Sequence, residues 1–168
     1  EAGRSPCPVG GVEAIEYRGY DSFGIATVGS AIEVYKKAGR IPDGDPGAVG
    51  LVGCTGIGHT RWATHGEPNE INAHPHMDCE GKIAVVHNGV IENYAELKRH
   101  LQERGHTFRS ETDTEVIAHL IEEKYDGDLL AAVNAVLPLL QGSYAILVIA
   151  GDTQRIVAAR DASPLVLG

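Results

Sequence analysis

Residues 23–28 and 31–36 run apolar or alternate apolar with polar, with Gly29 and Ser30 between them, a pattern that predicts a β-hairpin. The apolar run Ile83-Ala84-Val85-Val86 predicts another strand, which delivers Asn88-Gly89 to a turn with a helix after it. Over residues 92–104 the apolar positions Tyr94, Leu97 and Leu101 recur at helical spacing, and Gly105 stands where a left-handed C-terminal cap belongs. A second helix is expected to begin at Thr112 or Asp113, because Thr112 and Glu115 have the capping-box spacing. Its apolar face is Val116, Ile117, Leu120 and Ile121, and it should stop before Gly127. Asp128 caps a third helix with Leu129, Val133, Val136, Leu137 and Leu140 inward, and Pro138 bends or ends its last turn. The period then returns to that of strands over residues 143–150 and 155–159, with the turn residues Gly151-Asp152-Thr153-Gln154 between them. Residues 39–50, rich in Gly, Pro and Asp, read as an exposed connection. Strands, then helices, then strands favour an α+β architecture of sheet layers with helices on their faces over a doubly wound parallel sheet.

Composition narrows the class. With 43% apolar and 22% charged residues, 168 residues suffice for one core of ordinary size. A formal net charge of -9 and no basic stripe exclude a nucleic-acid footprint. The longest apolar run is about seven residues against the roughly twenty a bilayer requires, so no membrane insertion is expected. The first eleven residues lack an apolar signal-peptide core, and a cytoplasmic location is expected. Three cysteines, Cys7, Cys54 and Cys79, at wide spacing indicate neither a disulfide framework nor a Cys-x-x-Cys knuckle, and Cys54 and Cys79 read as structural or incidental.

Candidate chemistry concentrates in two segments. Residues 58–66, Gly-His-Thr-Arg-Trp-Ala-Thr-His-Gly, place a guanidinium, two hydroxyls and two imidazoles in what reads as a loop framed by glycines. Arg61 there offers a planar fork for a carboxylate. Residues 87–93 place Asn88 and Gly89 at a strand end. Each feature alone has a plainer reading: Asn-Gly as a hairpin turn, Asp113 as a helix cap, Arg18 and Arg61 as solvated charges, Trp62 as core. His74 and His76, two apart, could suggest a metal, but no Cys or carboxylate triad accompanies them in the sequence.

Five segments in one order change that balance. Glu16-Tyr17-Arg18-Gly19-Tyr20-Asp21-Ser22, residues 58–66, Asn72-Ala73-His74-Pro75-His76, residues 87–93, and Ser110-Glu111-Thr112-Asp113-Thr114-Glu115 resemble the glutaminase domain of the glutamine-fructose-6-phosphate aminotransferase (isomerizing) family. The resemblance implies an N-terminal-nucleophile hydrolase fold, an αββα four-layer sandwich. It covers residues 11–168 as a partial domain, incomplete at both ends, with the family's sugar-isomerase domains absent and residues 1–10 departing from its pattern. It also implies a substrate, L-glutamine, cleaved through a cysteine thioester to supply ammonia for glucosamine 6-phosphate. The implied partners are the C-terminal sugar-isomerase domains that bind fructose 6-phosphate and a second copy in a homodimer; no cofactor or metal is implied.

By the same resemblance, the Asn88 amide and the Gly89 N–H form the oxyanion hole, and Arg61, with Thr64 and His65 assisting, binds the α-carboxylate. Asp113 pairs with the α-ammonium, Arg18 and Gly19 line the nucleophile's surroundings, and Trp62 gates the ammonia path. The family's nucleophile is a cysteine whose own α-amine serves as base. Cys7 has six residues before it, Pro8 after it where the family has Gly, and only ten positions to Tyr17, too few for the family's first strand and helix. This polypeptide is therefore expected to bind glutamine without useful turnover. The alternatives are a noncatalytic glutamine-binding module, another glutaminase of the same class, or a metal hydrolase built on His74 and His76.

Overall fold

Strand β1 (Ser22–Val28) lies between β2 (Ile32–Ala38) and β3 (Thr55–Arg61), antiparallel to both, and so forms a three-stranded sheet. The computed structural model describes residues 19, 21–41, 51–62 and 67–166. A second antiparallel sheet has the order β4 (His76–Met77), β5 (Ile83–Ile91), β6 (Gly142–Ala150), β7 (Ile156–Asp161). Between β5 and β6 the chain forms α1 (Tyr94–Glu103), α2 (Glu115–Lys124) and α3 (Leu129–Val136), the last running into a 3₁₀ turn at Leu137–Leu139. Both expected hairpins are present, and the chain is α+β.

Strand β5 has an apolar run without alternation because both of its faces are buried. Ile83 and Val85 pack with Val116, Ile117, Leu120, Ile121 and Val133 of the helices. Ala84 and Val86 face the other way, toward Ala26, Val28 and Ile57 of the three-stranded sheet. Burying an Ile or Val side chain fully contributes about 1.5–3 kcal/mol, so this double-sided strand is the main tie between the layers. The outer face of the three-stranded sheet carries Phe23 and Ile25 against Ile41, Tyr35 and Leu51. Among the described residues no helix covers it; residues 42–50 of the expected connection lie outside them.

The helix ends follow the sequence at two sites and depart from it at a third. α1 closes as expected, with Gly105 at φ +97°. His106 N–H reaches Leu101 O and Gly105 N–H reaches Gln102 O, the paired bonds of a Schellman cap. The Asp128 carboxylate accepts from the N–H groups of Leu130 and Ala131. Asp128→Ala is expected to cost about 1 kcal/mol in urea denaturation with the m-value unchanged; an unaltered midpoint would show the cap to be idle. α2 starts at Glu115, later than expected, with no side-chain cap. The capping box fails because its partners are taken: Thr112 Oγ1 bonds His76 Nε2, and Glu115 accepts from the N–H groups of Arg109 and Ser110 and from the Ser110 hydroxyl. No helix among the described residues is long and apolar enough to cross a membrane.

Candidate active site

The residues that read as a loop before Arg61 form β3 instead. Its register against β1 sets Gly58 opposite Ile25 and Thr60 opposite Phe23, and these β1 side chains hold the segment extended despite its glycines. Side chains two apart on a strand share a face, so His59 and Arg61 are presented together. Asn88 and Gly89 likewise lie inside β5, not in a turn, opposite Ala145 and Tyr144 of β6. Gly89 has φ +133°, and a Cβ there would stand 2.0 Å from Ser143 O. Close backbone approach within the sheet demands this glycine, and a hairpin would have demanded one too, which is why the dipeptide misleads.

Arg61, Trp62, Asn88, Gly89 and Asp113 line one cavity of about 540 Å³, with His59, His74, His87 and Thr114. Ser163, Pro164 and Val166, which follow β7, contribute another part of the wall. Arg61 is buried at 6% exposure, whereas Trp62 is 59% exposed. Burial lowers the pKa of the Arg61 guanidinium, and the negative charges of Asp113 and Asp21 act against that shift. One Asp113 oxygen accepts the Ile91 N–H at 2.8 Å, fixing the carboxylate from the end of β5. Gly19 lies against the backbone at the end of β3, where a Cβ would come within 2.6 Å of the Arg61 carbonyl carbon. Arg18, Thr64, His65 and Cys7 fall outside the described residues.

Beneath these groups is a buried set of imidazoles. His59 Nε2 lies 2.9 Å from Asn88 Oδ1; a carbonyl oxygen only accepts, so His59 carries its proton on Nε2, and the Asn88 NH₂ is turned away from His59. Burial, first among the causes, pulls the His59 pKa to about 4, aided by His87 and Arg61 and opposed by the Asn88 bond. His74 stacks on His59 with ring centroids 4.3 Å apart. Its Nδ1 accepts the His87 N–H at 3.2 Å, and its Nε2 faces Thr114 Oγ1 at 3.4 Å, while that hydroxyl also bonds His87 Nδ1 at 2.9 Å. Burial holds His74 well below the ordinary histidine range. With these nitrogens and His76 Nε2 engaged by backbone and threonine groups, and with no carboxylate completing a set among the described residues, the metal reading of His74 and His76 gains no support. The contacts of His59, His74 and Thr114 join residues far apart in sequence, and no local pattern announces them.

A cavity that joins a buried guanidinium, an anchored carboxylate and an oriented side-chain amide suits a small zwitterion with a carbonyl to polarise. Residues 59–168 match the family model described as a glutamine amidotransferase domain. The chain belongs to that family. Among curated proteins it is similar to glutamine–fructose-6-phosphate aminotransferase [isomerizing] of Thermotoga maritima, at 57% identity over 161 residues. The enzymes of the same name from Thermus thermophilus and Pyrococcus horikoshii are 54% and 55% identical. These alignments take in 94–95% of this chain but only 27–28% of each relative. Of solved structures, glutamine phosphoribosylpyrophosphate amidotransferase from B. subtilis superposes with a TM-score of 0.72 at 29% identity, covering 88% of this chain and 32% of that one. An allosteric regulatory enzyme of purine biosynthesis gives 0.70 at 29%, over 83% and 31%. The architecture of this amidotransferase domain is that of N-terminal-nucleophile hydrolases.

Proposed function

We propose that this domain cleaves the side-chain amide of L-glutamine and passes the nitrogen to fructose 6-phosphate, bound by sugar-isomerase domains of a longer, homodimeric, cytoplasmic enzyme that makes glucosamine 6-phosphate. The observation that carries the reading is the shared cavity of Arg61, Asp113, Asn88 and Gly89; the sugar acceptor rests on the names of the relatives.

In this reading the glutamine α-carboxylate docks on Arg61 and its α-ammonium on Asp113, which selects a free amino acid. The amide carbonyl then lies toward the Asn88 NH₂ and the Gly89 N–H. A cysteine thiolate adds to the carbonyl carbon, and the oxygen gains negative charge that these two donors meet. The proton lost by the thiol passes to the amide nitrogen, and collapse expels ammonia and leaves a thioester, which water hydrolyses to glutamate and free thiol. Thr64 and His65 assist Arg61, Arg18 and Gly19 border the nucleophile, and Trp62 guards the ammonia exit.

In a polypeptide of these 168 residues alone, the Cys7 nitrogen is a peptide N–H, so binding and turnover can be measured apart. Glutamine at a hundred times its Kd is expected to add about 2.7 kcal/mol and raise Tm by roughly 5–10 °C, while glutamate release stays at background. Arg61→Ala should abolish the shift. A shift that survives Arg61→Ala would overturn the clamp, and robust release lost in Cys7→Ala would make Cys7 the nucleophile after all.

A further inference from the structure

Away from the glutamine cavity, four side chains with metal-binding atoms meet across the helical layer. Cys79 comes from the reversal between β4 and β5, His106 from the residue after the α1 cap, and His119 and Glu122 from successive turns of α2. Their ligand atoms all lie within 4.8 Å of one another. Cys79 Sγ is 3.6 Å from His106 Nδ1 and 3.5 Å from His119 Nδ1. The two Nδ1 atoms are 3.3 Å apart, and Glu122 Oε2 is 3.0 Å from the first and 3.2 Å from the second. A tetrahedron with Zn–S near 2.3 Å and Zn–N or Zn–O near 2.0–2.1 Å has S···N edges of about 3.5 Å and N···N or N···O edges of about 3.3 Å. Five of the six edges are close to these values: 3.5 and 3.6 Å from sulfur to nitrogen, and 3.0, 3.2 and 3.3 Å among the nitrogen and oxygen atoms.

Hydrogen bonds join the four side chains but leave the buried His119 Nε2 without a hydrogen-bond partner. Behind each imidazole stands a carboxylate: His106 Nε2 is 3.4 Å from Glu123 Oε1, and His119 Nε2 is 3.6 Å from Glu115 Oε1. Those carboxylates favour the proton on Nε2 and turn both Nδ1 lone pairs inward, the arrangement found behind metal-bound histidines. Glu122 Oε2 is fixed by the Cys79 N–H at 3.2 Å and adds a further acceptor.

We propose that Cys79, His106, His119 and Glu122 bind one structural zinc ion. Binding releases the thiol proton to solvent, and thiolate and carboxylate together neutralise the dication. All four positions are filled by protein, so the site is closed and braces the fold, with no open position for a substrate. It pins the β4–β5 reversal and the end of α1 to α2, the helix that follows Asp113 and Thr114 of the cavity. Cys79 is therefore neither isolated nor incidental, and no motif announced the site because its ligands are spread over 44 positions from Cys79 to Glu122.

The test uses the 168-residue chain and does not depend on the glutamine reading. Protein purified without chelator is expected to carry one equivalent of zinc by mass spectrometry, and strong chelation should lower Tm by roughly 10 °C, restored by Zn²⁺. Co²⁺ added to the stripped protein should give a thiolate-to-metal absorption band, which Cys79→Ala removes and Glu115→Gln retains. A chain that is metal-free, indifferent to Zn²⁺ in Tm and without a Co²⁺ thiolate band would overturn the proposal. So would a chelator response that is unchanged in both Cys79→Ala and His106→Ala.

Discussion

Between pH 7 and pH 5 the folded domain is expected to lose roughly 4 kcal/mol of stability through His59 and His76 alone. Burial is the leading cause of depression for both, holding His59 to about 4 and His76 to about 3. For His76 the positive charges of Lys36 and Arg61 lower it further, while Glu115 acts in the opposite sense. An unfolded histidine titrates near 6.5, so below that pH the unfolded chain binds protons that the native one refuses. The stability these groups confer is complete above about pH 6.5, declines as pH falls, and is fully lost below their native pKa values. At pH 5 each has given up nearly 1.5 pH units, about 2 kcal/mol at 1.36 kcal/mol per unit. His74 and His87, also depressed by burial, act in the same direction.

That loss is comparable to the total stability of a small domain, about 5–15 kcal/mol. Urea titrations at pH 7, 6 and 5, run in chelator so that metal release is not read as titration, should show the midpoint falling steeply. A midpoint that stays level from pH 7 to 5 would mean that these imidazoles are not held neutral in the core.

What the sequence made legible was whatever local pattern decides. The α1 cap at Gly105, the Asp128 cap and the β6–β7 hairpin each depend on a few adjacent residues, and each is present. The capping box at Thr112 was outcompeted by partners far away in sequence: His76 takes the threonine hydroxyl across 36 positions. β3 was unreadable as a strand because Gly56 and Gly58 have low strand propensity; pairing with β1 and burial between layers override it. Arg61, Asp113, Asn88 and Gly89 were singled out by resemblance, and the structure brings them to one cavity. His59 and the three residues around Cys79 needed coordinates, because their meaning lies in which atoms face each other across the fold.

In the whole enzyme, Asn88→Ala is expected to lower kcat for glutamine hydrolysis by 10²–10³, with KM changed only a few-fold. The reason is when the interaction forms. In the proposed reading, ground-state glutamine carries a neutral carbonyl and is held chiefly by its charged ends at Arg61 and Asp113, whereas the full negative charge on oxygen exists only after thiolate attack. A donor fixed beforehand stabilises that state selectively, and losing one such donor typically costs about 2.7–4 kcal/mol of barrier. Gly89 cannot be probed the same way, because a Cβ 2.0 Å from Ser143 O would distort β5 before it altered chemistry. His59 offers the finer test as a positioning residue. Removing its Nε2–H leaves the Asn88 amide free to rotate, so that Oδ1 faces the developing oxyanion for part of the time. His59→Ala should therefore lower kcat about tenfold with KM held, and His59→Gln, which keeps a donor near Asn88 Oδ1, should recover most of the loss. A raised KM at constant kcat in Asn88→Ala would assign Asn88 to substrate binding and remove it from the oxyanion hole, because uniform binding and transition-state binding separate in those two constants.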